Sequence, residues 1–157
     1  MPKSLPNPLQ KVALWLLNQL IPPSCLLCAA PHNNDIALIC GPCRDDLPYI
    51  SNPCYQCGLP LPAESSSATV CGQCLKQPPP FKHCLVPLGY ATPVDSLIAA
   101  FKYRKQLTNG RLLSQLLLTE ICRHYADESL PEIIVPVPLH WRRQLRRGYN
   151  QSQCVAS

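Results

Sequence analysis

Apolar side chains are spread unevenly along the 157 residues, and their spacing changes character twice. The stretch Val12 to Leu17 is apolar, and Asn18 and Gln19 break it. That pattern predicts a short amphipathic helix within residues 1–22, not a signal peptide, because no small-x-small cleavage site follows. It is also well short of the roughly 20 apolar residues that cross a bilayer. Residues 23–77 hold few apolar runs long enough to build a core. Pro78, Pro79 and Pro80 then predict a stiff, extended connector and a domain boundary.

Beyond the prolines, regular periodicity returns. Leu85 to Tyr90 reads as a strand, and Val94 to Tyr103 as a helix with Thr92 or Asp95 near its start. Leu107 to Tyr125 reads as a longer helix whose Leu112 to Leu118 stretch is one core face; the apolar repeat is too short for a zipper. Ile133, Ile134, Val135 and Val137 form a nearly continuous apolar run, which suits a buried parallel strand of an α/β sheet. Ligands of such sheets bind outside the carboxyl ends of the strands. Gln151 to Ser157 begins a further helix.

Composition explains the apolar-poor segment. With 11 Cys and 19 Pro in the 157 residues, the segment is left without a core and needs a staple. Eight of the cysteines form four Cys-x-x-Cys brackets, Cys25/Cys28, Cys40/Cys43, Cys54/Cys57 and Cys71/Cys74. Two tetrahedral Cys₄ zinc sites require this set, since each bracket supplies two sulfurs and two brackets close one site. Sequential pairing closes two short loops in tandem; interleaved pairing, first with third and second with fourth, is the alternative. Gly58 after Cys57, and Gly41 and Gly72 inside their brackets, are placed where a positive φ helps the backbone turn towards sulfur. Such sites are closed, with no open position for catalysis. A redox Cys-x-x-Cys would stand singly at a helix start after a strand. Reduced thiols with metal point to the cytoplasm, whereas disulfides would point to a secreted chain. Cys84, Cys122 and Cys154 are expected as buried packing thiols. With eight thiolates filling two sites, His32, His83 and His124 are not needed as ligands.

The formal charge of +5 is modest but agrees with a polyanionic partner. Four of its cations cluster in Leu139-His140-Trp141-Arg142-Arg143-Gln144-Leu145-Arg146-Arg147, directly after the apolar run. On a helix, Arg142, Arg143, Arg146 and Arg147 share a face, and guanidinium forks suit phosphate. Trp141 and Tyr149 flank them as stacking surfaces for single-stranded bases. His140 is a further candidate phosphate contact, whereas Lys102, Arg104 and Lys105 read as a solvated helix end.

The tandem brackets, Cys54-Tyr55-Gln56-Cys57-Gly58-Leu59-Pro60, the helix around Leu97-Ile98-Ala99-Ala100-Phe101-Lys102-Tyr103, then Val135-Pro136-Val137-Pro138-Leu139 and Arg146-Arg147-Gly148-Tyr149-Asn150-Gln151-Ser152 together resemble the ComF family of competence and DNA-utilization proteins. The resemblance runs from Cys25 to the end of the sequence. It implies a double zinc ribbon over residues 23–77 and, over 78–157, the N-terminal part of an α/β type I phosphoribosyltransferase-like domain. Val135 to Leu139 would be a core strand running towards the pyrophosphate site, and Arg146 to Ser152, with Tyr149, Asn150 and Gln151, the family's signature loop and following helix. Such a domain also carries a later strand with an acidic pair and a Thr/Gly-rich loop. Asp45-Asp46 lies instead inside the zinc region, so the chain is expected to be a fragment holding about half of that domain.

The resemblance implies a role in handling imported single-stranded DNA, with competence or DNA-uptake proteins as further partners. A second implied function is phosphoribosyl transfer by a full-length relative, using Mg²⁺ and phosphoribosyl pyrophosphate. A third reading, from the ribbons alone, is a protein-interaction adaptor.

Overall fold

The computed structural model describes residues 24–31, 38–62, 69–127 and 129–157. The amphipathic helix expected within 1–22, His32, and the serine-rich tip at Ser65 to Ser67 lie outside the described residues. The chain divides into two compact units, one ending at Asp46 and the other spanning Leu47–Ser157.

Each unit contains a ribbon, and the two ribbons repeat the same backbone pattern. In the first, Ser24 bridges Pro31, Cys25 N donates to Ala30 O at 2.9 Å, and Ala29 N to Cys25 O at 2.9 Å. In the second, Pro53 bridges Pro60, Cys54 N donates to Leu59 O at 2.8 Å, and Gly58 N to Cys54 O at 2.8 Å. The second bracket of each ribbon starts a single helical turn or little more, α1 at Gly41–Asp45 and α2 at Gly72–Lys76. Gly41 and Gly72 therefore do not need the positive φ expected of them. Gly58 has the expected positive φ, at 75°, and Ala29, the residue after the first bracket of the other ribbon, shares it at 59°. The reason is geometric: the chain must reverse after Cys28 and Cys57, whereas after Cys40 and Cys71 it can coil directly onto its own carbonyls.

The second unit continues through an irregular segment into helices. Leu85 to Tyr90 does not form the expected strand. Ile50 N donates to Pro87 O at 3.2 Å and Gly89 N to Pro48 O at 2.8 Å, around an isolated bridge from Tyr49 to Leu88. Pro48 and Pro87 lack N–H donors, so the ladder stops there.

Helix α3, Val94–Tyr103, buries Val94, Leu97, Ala100 and Phe101, an i, i+3, i+6, i+7 stripe. Asp95 stands in its first turn. Helix α4, Leu107–His124, packs against α3 and buries Asn109, Gly110 and Leu112. Gly110 is required there, since a Cβ would meet the Phe101 ring at 2.6 Å. Between the two helices Gln106 N donates to Ala100 O and Asn109 Nδ2 to Gln106 Oε1 at 3.0 Å.

Ile133 to Val137 corrects the sequence expectation of a buried strand. These residues carry no strand pairing among the described residues, and Ile133, Ile134, Val135 and Val137 are 68–78% exposed. A parallel strand is buried only by neighbours on both edges and helices on both faces, and no described segment supplies them. The expected arginine helix does form, as α5 at Trp141–Arg147, followed by α6 at Gln151–Ala156, which packs on α4. Cys84, Cys122 and Cys154 are exposed rather than buried. Cys122 falls on the solvent side of α4, whose inward face is set by Asn109 and Leu112.

Candidate functional site

The cysteine brackets come together by sequential pairing. Cys25, Cys28, Cys40 and Cys43 converge with all four sulfurs within 4.8 Å of one another, and Cys54, Cys57, Cys71 and Cys74 do the same. In the second ribbon Cys54 is fully buried with Cys71 and Cys74, and Cys57, Leu61 and Val70 pack around them. Sulfur forms the centre that hydrocarbon forms elsewhere.

The donor set fits zinc. Cys28 Sγ lies 3.7 Å from Cys40 Sγ and Cys57 Sγ 3.8 Å from Cys71 Sγ. Four sulfurs about 2.3 Å from a tetrahedral ion are separated by about 3.8 Å. A disulfide needs about 2.05 Å, and all these cysteines are free.

Backbone amides prepare the sulfurs. Leu27 N and Cys40 N both point at Cys25 Sγ at 3.4 Å, and Cys71 N at Cys54 Sγ at 3.2 Å. Burial pushes the Cys25 thiol up, but amides of Cys28, Cys40 and Leu27 outweigh it and hold it at about 6. Burial likewise opposes, and amides of Cys57, Cys71 and Gln56 outweigh, to hold Cys54 at about 6. Cys43 is pushed up to about 12 by its hydrogen bonds to Cys40 and Cys28. Cys74 is pushed up to about 12 by burial and by the neighbouring Cys71 and Cys57 sulfurs. Without a cation, four neighbouring sulfurs cannot all ionise; a divalent ion removes that conflict. Bound zinc supplies cross-linking of the fold, and four protein ligands leave no position for substrate.

The basic segment divides in two. His140 caps α5, its Nδ1 accepting from Arg142 N at 3.3 Å, and its ring stacks on Trp141 with centroids 5.9 Å apart. Arg142 lies over the exposed Trp141 ring at 5.1 Å. Arg143 and Arg146 are also exposed.

Arg147 turns inward: its Nη1 donates to Gln151 Oε1 at 2.8 Å and its guanidinium lies 5.2 Å over Tyr103. Gly148, at φ 86°, ends α5 in the left-handed conformation that glycine adopts freely. That turn sends Tyr149 back onto Phe101, where its hydroxyl donates to the Phe101 carbonyl. Asn150 caps α6, accepting from Ser152 N at 3.1 Å, and donates to Val137 O at 3.0 Å. Gln151 is buried, and its Nε2 and Arg147 Nε have no partner among the described residues. Sequence reasoning grouped all four arginines as one surface. The inward turn of Arg147 was hidden because Tyr103 and Gln151, which receive it, are apart in sequence or beyond the cluster.

A feature missed by sequence is a ring cluster beside the second ribbon: Tyr55 stacks on His83 at 5.3 Å, and His83 lies 4.8 Å from His124. No sequence signal joined these residues.

Two Cys₄ centres built on repeated knuckles define a double zinc ribbon protein, and the family model of the double zinc ribbon domain matches residues 16–78. The chain is 37% identical over 137 residues to DNA utilization protein YhgH of Escherichia coli strain K12, covering 86% of this chain and 59% of that protein. It is 35% identical over 123 residues to Competence protein F of Haemophilus influenzae, covering 75% of this chain and 51% of that protein. The chain thus spans between half and three fifths of the length of these curated relatives. Its N-terminal part is a double zinc ribbon, and these relatives agree with the resemblance to the ComF family that its motifs carry. No solved structure matches the chain. Among the described residues no helix is long and apolar enough to cross a membrane.

Proposed function

We propose that this protein takes part in competence or DNA utilization by handling single-stranded DNA, with the ribbons as a zinc-held scaffold and α5 as the phosphate-contacting element. The carrying observation is the exposed trio Arg142, Arg143 and Arg146 beside an exposed Trp141. The guanidiniums neutralise phosphates and the indole offers a stacking face. The names of the relatives support the same reading. On it, Arg147, Tyr149, Asn150 and Gln151 position α5, through Tyr103, Phe101 and Val137, and do not contact the strand.

The test is binding of a fluorescent oligonucleotide across a salt series. Each phosphate contact on a single strand contributes about 0.7 to the log–log salt slope. Arg142, Arg143 and Arg146 replaced together by Ala should therefore lower the slope by about 2. Salt-independent binding, or a slope unchanged in the triple variant, refutes the assignment. Capture of a protein partner with no DNA binding would favour the adaptor function instead.

The finer architecture, a phosphoribosyltransferase-like domain over 78–157, is part of this proposal. Its support is motif order: an apolar run, a helix capped by His140, and the Gly148 turn that seats Tyr149. Phosphoribosyl transfer is the alternative function for a full-length relative. The residues described do not fit its Mg²⁺ and phosphoribosyl pyrophosphate, because no acidic pair followed by a Thr/Gly-rich loop is among them, and they support no catalytic step.

A further inference from the structure

Beside the second ribbon lies a cleft of about 240 Å³, none of whose lining residues belongs to α5. It is lined by Asn52, Tyr55 and Thr69 of the ribbon, by His83 to Val86, and by Glu120, Arg123 and His124 of α4. Tyr55, His83 and His124 make a column of flat rings, with centroids 5.3 and 4.8 Å apart and interplanar angles of 25° and 35°. Tyr125 meets His124 edge-on at 4.9 Å. His83 Nδ1 is buried there with no hydrogen-bond partner among the described residues, a cost that folded proteins seldom carry without a use.

The chemistry selects a ligand. His83, His124, Cys84 and Glu120 do not converge as a ligating group among the described residues, so the cleft is not a third metal site. A simple anion would find Arg123 but also the carboxylate of Glu120, which already pairs with it at 2.6 Å. An aliphatic ligand would offer nothing to the polar groups of Asn52, Thr69 and Glu120 or to His83 Nδ1, the last without a partner among the described residues. A flat nitrogen heterocycle suits all of them: its face meets the rings, and its polar edge meets Asn52, Thr69 and Glu120. Arg123, with its side chain 76% exposed at the rim, holds both Glu120 carboxylate oxygens and must turn from them to reach an attached phosphate. The volume is below that of a drug-sized pocket, about 300–1,000 Å³, and takes a single base.

We propose that this cleft binds a nucleobase carrying a 5′-phosphate. The proposal rests on the DNA-handling function only in taking a base of a strand as one source; the other source is a free mononucleotide.

The experiment is an NMR titration of the zinc-loaded protein, following the imidazole C–H signals of His83 and His124. The probes are dAMP, inorganic phosphate and an oligo-dT. Movement of both signals with dAMP and not with phosphate is the expected result. His124→Ala and Arg123→Ala, each checked for two bound zinc ions, should weaken dAMP binding; the loss of a base stack at His124 corresponds to roughly 5- to 150-fold. Oligo-dT moving the same signals assigns the base to a strand, whereas movement with dAMP alone assigns it to a free nucleotide. If dAMP and oligo-dT leave both signals in place while the oligonucleotide still binds with its arginine-dependent salt slope, the cleft proposal is overturned and the α5 function stands. If dAMP binds and no oligonucleotide does, the α5 function fails and the cleft stands.

Discussion

Replacing Gly58 by Ala tests how the second ribbon is held against the segment that follows it. Gly58 sits at φ 75°, where an L side chain costs roughly 1–2 kcal/mol. Its missing Cβ would overlap Val86 Cγ2 and lie 3.0 Å from Val86 Cβ, an overpacking that costs about 1–3 kcal/mol. The stiffer unfolded chain of the Ala variant returns about 0.4–1 kcal/mol. The net loss is therefore between about 1 and 5 kcal/mol. Ala29 holds the equivalent position in the first ribbon at φ 59° and is exposed. Ala29→Gly relieves strain without touching a neighbour, so the first ribbon should gain up to about 1.5 kcal/mol. Urea unfolding of zinc-loaded protein, followed by zinc release to a chromogenic chelator, measures both. Val86→Ala should recover the overlap part in the Gly58→Ala background, and a double-mutant cycle reads that coupling. A Gly58→Ala protein as stable as the parent, or a cycle with no coupling, refutes the packing argument.

Metal analysis should find two zinc ions per chain, and Cys54→Ser, which removes the fully buried ligand, should leave one with loss of fold in the second ribbon. The pH dependence follows from Cys25 and Cys54, lowered from 9.0 to about 6. Their contribution is full above 9, declines as pH falls, and is gone once pH passes below about 6. Zinc retention measured from pH 8 to 5 should fall with acidification; retention that rises would reverse the sign and refute the thiolate assignment. Gly110→Ala gains about 1 kcal/mol of helix propensity but drives a methyl to 2.6 Å from Phe101, costing about 1–3 kcal/mol; urea midpoints should show a net loss. Tyr149→Phe removes the hydrogen bond to the Phe101 carbonyl and should cost about 1 kcal/mol while leaving the oligonucleotide salt slope unchanged.

The local content of this protein was legible in its sequence. Cysteine spacing determined that two Cys₄ centres form, because bracket geometry is short-range. Apolar periodicity placed α3 at Val94–Tyr103 and brought α4 to within a residue of its end, since helical bonds close within one turn. The run of arginines announced α5.

What depends on partners distant in sequence was decided by the tertiary structure. Ile133 to Val137 reads as a strand in one dimension but has no described neighbour to pair with, and pairing is what makes a strand. Arg147 and Tyr149 read as surface residues until α3 offers Tyr103 and the Phe101 carbonyl. Sequential pairing of the brackets, left open by spacing, was fixed when amides of Cys40 and Cys71 pointed at Cys25 and Cys54. The ring column of Tyr55, His83 and His124 has no sequence signature, because it exists only where the second ribbon meets α4.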